Sequence, residues 1–381
     1  MISVTVIGCG DAFINRYWPT LELLANQGLI KLTVVDKGPL PSLIQSKLDL
    51  ADRSGEASSV NDLTRHYQNL QQMLQDKPDT IAYFNVENPE ERALYLRLTQ
   101  DIVFVLVPDN IHIKYAREWL KRAVLVLVEK PYNRNVVEAQ TFEQTLSEMV
   151  QANGQDLPYT IVLCIDHYLA KIFNYIMRRD EESLQAQIGV IKEIEFSICE
   201  AGGVEPWRAH ALEAGMIYDM FCYLLAQISP FVRLETFLST FDDHARIQIA
   251  NHEDCPIRTE SYANILHTRL LDLSGRSLRL HGQLGKGIGK VDNKFLRITG
   301  EHGTVFADFG PSSTGQLGLQ TDNHHAPLFQ IGKGHPEMLD AIFSGRFMEE
   351  PVGGLRGEDA VRILQILGHI RGGVDNRASC L

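Results

Sequence analysis

Short apolar runs, each followed by a stretch of helical periodicity, fill the first third of the chain and leave little choice of fold. The runs are Ile2–Ile7, Lys31–Asp36, Thr80–Phe84, Ile102–Val107 and Ala123–Val128, and they are rich in β-branched residues. Helical patterns lie between them, over Tyr17–Gln27, Val60–Gln75, Pro89–Leu98 and Ile111–Arg122. A strand that is apolar on both faces has to be covered on both faces. The alternation therefore predicts a parallel sheet with helices on each side, a doubly wound α/β domain. Right-handed crossovers exclude most other topologies for it.

The pattern changes after Pro131. A polar helix is expected over Asn135–Ala152 and a buried strand over Thr160–Ile165. Strands then follow one another: Val190–Cys199, Arg233–Phe241, Glu260–Leu273, Ser277–His281, Phe295–Thr299 and Thr304–Asp308. Successive strands predict an α+β domain with a large, mostly antiparallel sheet. Its helices are expected over Ala211–Gln227, Pro336–Ser344 and Gly357–Arg371. The chain thus divides, on pattern alone, into a first domain over 1–131 and a second over 132–381.

With 381 residues, 44% of them hydrophobic and 22% charged, the chain has the length and composition of a folded two-domain protein. A net charge of -12 opposes binding to a phosphate backbone, so no nucleic-acid partner is expected. The six cysteines are scattered without metal-ligand spacing, which implies no metal and a reducing compartment. Met1 leads straight into a strand pattern, and no apolar run approaches the roughly 18 residues of a membrane span. A cytoplasmic protein with no membrane partner is the expectation.

Gly8-Cys9-Gly10 follows the first run directly and opens a helix. Glycine suits that place because the backbone has to turn tightly and approach a pyrophosphate with no Cβ in the way, while the helix N-terminus offers free N–H groups. The loop continues through Asp11 and Ala12 to Phe13, which stands where such fingerprints carry a third glycine. The helix must therefore begin differently or stand further from the sheet. The second run ends in Asp36, placed to accept hydrogen bonds from ribose hydroxyls, which favours NAD. The neighbouring Lys37 leaves NADP open, since it could pair with a 2′-phosphate. Val107 ends the fourth run and Pro108, Asp109 and His112 follow it; they are expected to line the nicotinamide or ribose end of the cofactor, with a plain loop as the alternative.

Three clusters carry candidate chemistry. Glu129-Lys130-Pro131 ends the fifth run, and a charged pair there needs a cleft or partners. Beside a cofactor, Lys130 can polarise a hydroxyl or carbonyl oxygen. Asp166, His167, Tyr168 and Lys171 gather an acid, an imidazole, a phenol and an ammonium at one strand–helix junction. Trp207 and Arg208 precede a helix on which Asp219 and Tyr223, four apart, share a face. Each cluster also has a plain structural reading: a strand-end salt bridge, a helix cap, a core aromatic. The stretch Gly285–Lys290 is expected to be a flexible turn, and His324 and His325 a polar surface loop.

In this order the motifs resemble the GFO/IDH/MocA oxidoreductases, through G-x-G, Glu129-Lys130-Pro131, Trp207-Arg208 with Gly215 and Asp219, Leu296–Asp308, and the closing helix Gly357–Gly372. The stretch from Glu129 to Gln227, with Ile165-Asp166-His167-Tyr168-Leu169 and Lys171, is similar to glucose-6-phosphate dehydrogenase. The first resemblance implies a Rossmann cofactor domain, Lys130 on both nicotinamide ribose and substrate, and Asp219 and Tyr223 flanking the reacting carbon. It also implies a homodimer or homotetramer formed through the C-terminal sheet. The second implies His167, Tyr168 and Lys171 around a substrate phosphate, with Asp166 as partner to the base.

The sequence departs from both patterns. Tyr223 stands where the first family commonly has a histidine base, Leu224 where the second has one, and Cys164 where the second has an arginine. A tyrosine base needs a cationic neighbour to favour its phenolate. The expected function is hydride transfer between NAD or NADP and a secondary alcohol or ketone of a sugar, sugar phosphate or cyclitol. Imine reduction on the same scaffold and a catalytically silent sensor remain alternatives.

Overall fold

The structure, a computed structural model, describes residues 1–10, 12–45, 57–153, 160–166, 169, 184–200, 220–237, 247–250, 262–286, 293–308, 316–321, 324–326, 335–344 and 357–378. Strands β1 (Ile2–Ile7), β2 (Ile30–Asp36), β3 (Ile81–Asn85), β4 (Gln100–Val105), β5 (Ala123–Val128) and β6 (Ile161–Cys164) make one sheet in the order β3-β2-β1-β4-β5-β6. All its pairings are parallel. Residues from alternate faces of one strand, such as Phe104 and Val105, are both fully buried, as the uninterrupted apolar runs require. Each large apolar side chain so placed contributes about 1.5–3 kcal/mol. The covering helices are α1 (Trp18–Asn26), α2 (Ala57–Asp76), α3 (Pro89–Tyr95), α4 (His112–Glu118) and α5 (Val136–Asn153).

Parallel pairing puts the carboxyl ends of these strands on one edge. Chain order reverses between β1 and β4, and such a reversal opens a crevice at that edge. The turn after β1 lies there.

The expected boundary at residue 131 is corrected. Contacts divide the chain into a first unit of Met1–Ile165 with Leu339–Gly357, and a second of Asp166–Met338 with Glu358–Leu381. The reason lies in β5. Its outer edge pairs with β6, from Leu125 opposite Ile161 to Val128 opposite Cys164. Without β6, an apolar strand would present open hydrogen-bonding groups to solvent.

The second unit carries a sheet of eight strands. They are β7 (Glu193–Glu200), β8 (Ile247–Ala250), β9 (Tyr262–Leu271), β10 (Ser277–Lys286), β11 (Asn293–Thr299), β12 (Gly303–Asp308), β13 (Gln316–Thr321) and β14 (His324–Ala326). Their order is β14-β13-β12-β11-β7-β10-β9-β8, antiparallel except for the parallel pair β7–β10. Alternation is clear: Ile194, Leu280, Leu296, Ile298 and Val305 are buried, while Arg279, Arg297 and their neighbours face outward. Helices α6 (Leu184–Ile188), α7 (Cys222–Ile228), α8 (His335–Phe343) and α9 (Glu358–Ala378) complete the described elements.

Three local expectations fail. Leu234–Phe237 is a helical turn rather than part of a strand, because Leu234 and Phe237, three apart, are both buried. Gly285 and Lys286 end strand β10 instead of opening a turn, residues 287–290 of that expectation lying outside the described residues, and His324 and His325 belong to strand β14.

Candidate cofactor and active site

Gly8 leaves β1 with φ of +102°, a conformation that side chains rarely adopt, and a Cβ there would come within 2.7 Å of the Leu106 carbonyl oxygen. Its N–H donates to Val35 O at 2.8 Å, so the turn is wedged between the ends of β2 and β4. The next N–H, of Cys9, donates to Asp36 Oδ2 at 2.5 Å, and Lys37 N–H donates to Asp36 Oδ1 at 2.6 Å. Asp36 therefore braces the glycine turn from the tip of β2. An ionised carboxylate has about four acceptor positions, so hydroxyl partners can still be accepted. Tyr67, fully buried on α2, donates its hydroxyl to Cys9 O at 2.9 Å and holds the same turn from the other side.

The surroundings of Asp36 are acidic. Tyr83 donates to Gly38 O at 2.9 Å, and Gly38 N–H donates to Asn85 Oδ1 at 2.8 Å. Burial chiefly, and then the charges of Asp36, Cys9, Glu91 and Glu87, push the Tyr83 phenol well up from its ordinary value. A Cβ at Gly38 would sit 3.9 Å from Glu87 Oε2, which puts that carboxylate beside the turn after β2.

The helix after the glycine turn does begin differently. Phe13–Tyr17 forms a π turn in which Trp18 N–H donates to Phe13 O, and α1 follows with Pro19 in its first turn. The cause is visible in sequence. Proline lacks the N–H that an α-helix would direct to Asn15 O, and its ring would clash with that carbonyl, a penalty of about 3 kcal/mol in a helix interior. A wider turn removes the conflict. Phe13, Tyr17 and Trp18 are all fully buried, filling with aromatic rings the space where a third glycine would allow close packing. The Tyr17 ring lies 5.4 Å from that of Phe104 on β4.

The π turn also reaches the Glu129-Lys130-Pro131 segment. Tyr17 donates its hydroxyl to Glu129 Oε1 at 3.2 Å, Arg16 approaches the same oxygen at 3.8 Å, and Lys130 N–H donates to Glu129 Oε2 at 2.9 Å. Glu129 is only 7% exposed, so the charge that needed partners has them. The Lys130–Pro131 peptide is cis. Neither Arg16 nor Tyr17 was singled out in the sequence; the aromatic run before Pro19 was their only signal.

Two expected cofactor residues have partners within the protein. Asp109 forms a two-pronged pair with Arg134, Nη2 to Oδ1 at 2.8 Å and Nε to Oδ2 at 3.1 Å. His112, only 1% exposed, places Nδ1 2.9 Å from Pro131 O and Nε2 2.6 Å from Val107 O. Each ring nitrogen thus faces a backbone carbonyl, and a neutral ring can donate to only one of the two. Burial pushes the imidazole down from its ordinary value; the two carbonyl contacts, Asp109 and Glu129 oppose this without overcoming it. Both residues brace the loops after β4 and β5. Val107 and Pro108 lie just beyond β4, on the same edge as Gly8.

The first unit therefore brings together Gly8, Gly10, Ala12, Phe13, Asp36, Lys37, Val107, Pro108, Glu129, Lys130 and Pro131 around one sheet edge. In the second unit, Asp166 is buried directly after β6, and Tyr223 is half-buried on α7. Asp11, His167, Tyr168, Lys171, Trp207, Arg208 and Asp219 lie outside the described residues. Among the described residues no cluster of three or more His, Cys, Asp or Glu could hold a metal, and no helix is long and apolar enough to cross a membrane.

No protein-family model matches the sequence, and no curated protein does. Solved structures do match. UDP-N-acetylglucosamine 3-dehydrogenase GnnA from Acidithiobacillus ferrooxidans aligns over 97% of this chain and 96% of its own, with a TM-score of 0.59 and 14% identity. KijD10, a 3-ketoreductase from Actinomadura kijaniata in complex with NADP and TDP-benzene, aligns over 98% and 97%, with 0.58 and 15%. Glucose-6-phosphate 1-dehydrogenase from Mycobacterium avium aligns over 96% and 90%, with 0.59 and 16%. The likeness is one of fold. It extends over nearly all of each chain, and so includes both the doubly wound sheet and the second sheet.

Proposed function

We propose that this protein is an oxidoreductase that moves a hydride between NAD and a secondary alcohol or ketone of a sugar, sugar phosphate or cyclitol. One observation carries the reading: the glycine turn, Asp36 and the Glu129-Lys130-Pro131 segment meet at the carboxyl edge of the sheet, at its topological switch point. The solved structures of like fold include a UDP-N-acetylglucosamine 3-dehydrogenase, a 3-ketoreductase and a glucose-6-phosphate 1-dehydrogenase, which supports the same substrate class.

The residues at the edge fit a dinucleotide. Asp36 can accept from ribose hydroxyls while holding Cys9 N–H, and the nearby Glu87 carboxylate opposes an added 2′-phosphate, which favours NAD. Bound there, the nicotinamide would supply the hydride acceptor or donor. Lys130 would stabilise the substrate oxygen as the carbon–hydrogen bond breaks or forms. Asp219 and Tyr223 would orient the reacting carbon and exchange the hydroxyl proton, and the Asp166–His167 pair would assist. His167, Tyr168, Lys171, Trp207 and Arg208 would bind the rest of the substrate.

The test is a panel of sugars, sugar phosphates and inositols assayed with NAD and NADP by nicotinamide absorbance. Turnover that collapses in Lys130→Ala is expected. Dinucleotide binding with no turnover on any substrate would instead favour a regulatory protein. Asp36→Ala should weaken NAD more than NADP, and equal losses would count against the ribose contact.

A further inference from the structure

The segment bearing Lys130 is met at both ends by side chains of the first unit. On one side, Lys130 N–H is fixed by Glu129 Oε2 at 2.9 Å. On the other, Pro131 O lies 2.9 Å from His112 Nδ1. Between these two points the peptide is planar and the Pro131 φ is locked by its ring. Only the φ and ψ of Lys130 and the ψ of Pro131 remain soft, and fixing both ends restricts all of them. The Cα–Cβ direction of Lys130 follows.

His112 itself is anchored. It begins helix α4, is almost fully buried, and its Nε2 lies 2.6 Å from Val107 O at the end of β4. The ring therefore spans from the β4 loop to the lysine loop. The Asp109–Arg134 pair joins the same two loops a short way along.

We propose that His112 is a positioning residue for Lys130, acting through its Nδ1 contact with the Pro131 carbonyl. The idea rests on the oxidoreductase reading for its functional meaning, although its geometry does not. The contact needs a hydrogen on Nδ1, because a carbonyl oxygen only accepts. A neutral ring carries one hydrogen and can donate to one of the two carbonyls; a ring with hydrogens on both nitrogens donates to both.

The two nitrogens can be tested apart. The amide of His112→Asn can take the place of Nδ1 and keep a donor toward Pro131 O. The longer His112→Gln can replace Nε2 and keep a donor toward Val107 O. If Pro131 is the contact that matters, Asn should retain kcat within about threefold of the parent, while Gln should lose about tenfold or more with little change in NAD affinity. Equal losses that follow the fall in melting temperature would overturn the proposal and leave His112 a purely structural residue.

A second measurement needs neither substrate nor variant. In protein carrying ¹⁵N-histidine, the Nδ1 resonance of His112 should be that of a nitrogen bearing hydrogen, and a bare Nδ1 would overturn the proposal outright. A protein that turns nothing over would defeat the functional reading, whereas a bare Nδ1 defeats only this one.

Discussion

A carboxylate as buried as Glu129 survives only because its oxygens are met, and Tyr17 is the partner that sequence alone would not suggest. Tyr17→Phe keeps the ring packed against Phe104 and removes only the hydroxyl. The expected cost is about 1–2 kcal/mol in chemical denaturation, with a fall in kcat, because Glu129 also holds Lys130 N–H. Unchanged stability and turnover would show that the contact is idle. His112 carries a second signature. Its folded-state pKa lies below the ordinary value of about 6.5, so on acidification the unfolded chain takes up a proton first. Its contribution to stability is full above about pH 6.5 and drains as pH falls toward the folded value. Denaturant midpoints at about pH 7.5 and about pH 5.5 should therefore differ less in His112→Gln than in the parent. At this scale the sequence was legible where chemistry is local. Gly8, Asp36 and Lys130 stand at strand ends that periodicity already marked. The contacts of Asp109 and His112 were not legible, because a strand-end loop looks the same in sequence whether its side chains point at a cofactor or at each other.

Elements were legible where burial imposes a period. The runs of the first sheet are continuous because both faces are covered, and the strands of the second alternate because one face is open. What no local pattern reveals is which sheet a strand joins, and so β6 was assigned to the wrong domain. The π turn is a subtler case: the loss of the third glycine at Phe13 pointed to an altered helix start, but only the structure shows the wide turn and what it delivers. Pro19→Ala restores the missing N–H and removes the clash with Asn15 O, permitting ordinary α-helical winding. A change from wide to regular winding rotates the residues ahead of it, carrying Arg16 and Tyr17 away from Glu129. The variant should lose at least the roughly 1–2 kcal/mol expected for Tyr17→Phe, and show reduced kcat with any substrate the parent accepts. Full activity would mean that the wide turn is a packing consequence with no bearing on Lys130. Gly8→Ala makes the opposite case, since its Cβ meets the Leu106 carbonyl and its φ is strained, at a cost of about 1–3 kcal/mol.

For the whole molecule the open question is what the outer face of the second sheet is for. One row across four strands reads His281, Glu195, Arg297, Phe306, by the pairing registers of β10, β7, β11 and β12. Arg297 Nη1 meets Glu195 Oε2 at 2.6 Å and lies over the rings of Phe295 and Phe306, at 5.7 and 5.4 Å. In the next row Arg279 pairs with Glu193 at 3.4 Å. Surface pairs of this kind add little to the stability of a single chain, about 0–1 kcal/mol each. A face that mixes both charges with part-exposed aromatic rings is, however, what a two-fold contact between identical copies needs, since each patch has to complement itself. We propose that the homodimer or homotetramer expected from the family resemblance forms here. Light scattering on the purified protein should then give a dimer or tetramer. Glu195→Lys sets a like charge beside Arg297 on both copies at once, so the same measurement should give a monomer with an unchanged circular dichroism spectrum. A parent that is already monomeric at micromolar concentration, or a variant that keeps its assembly, would mean that this sheet meets only water.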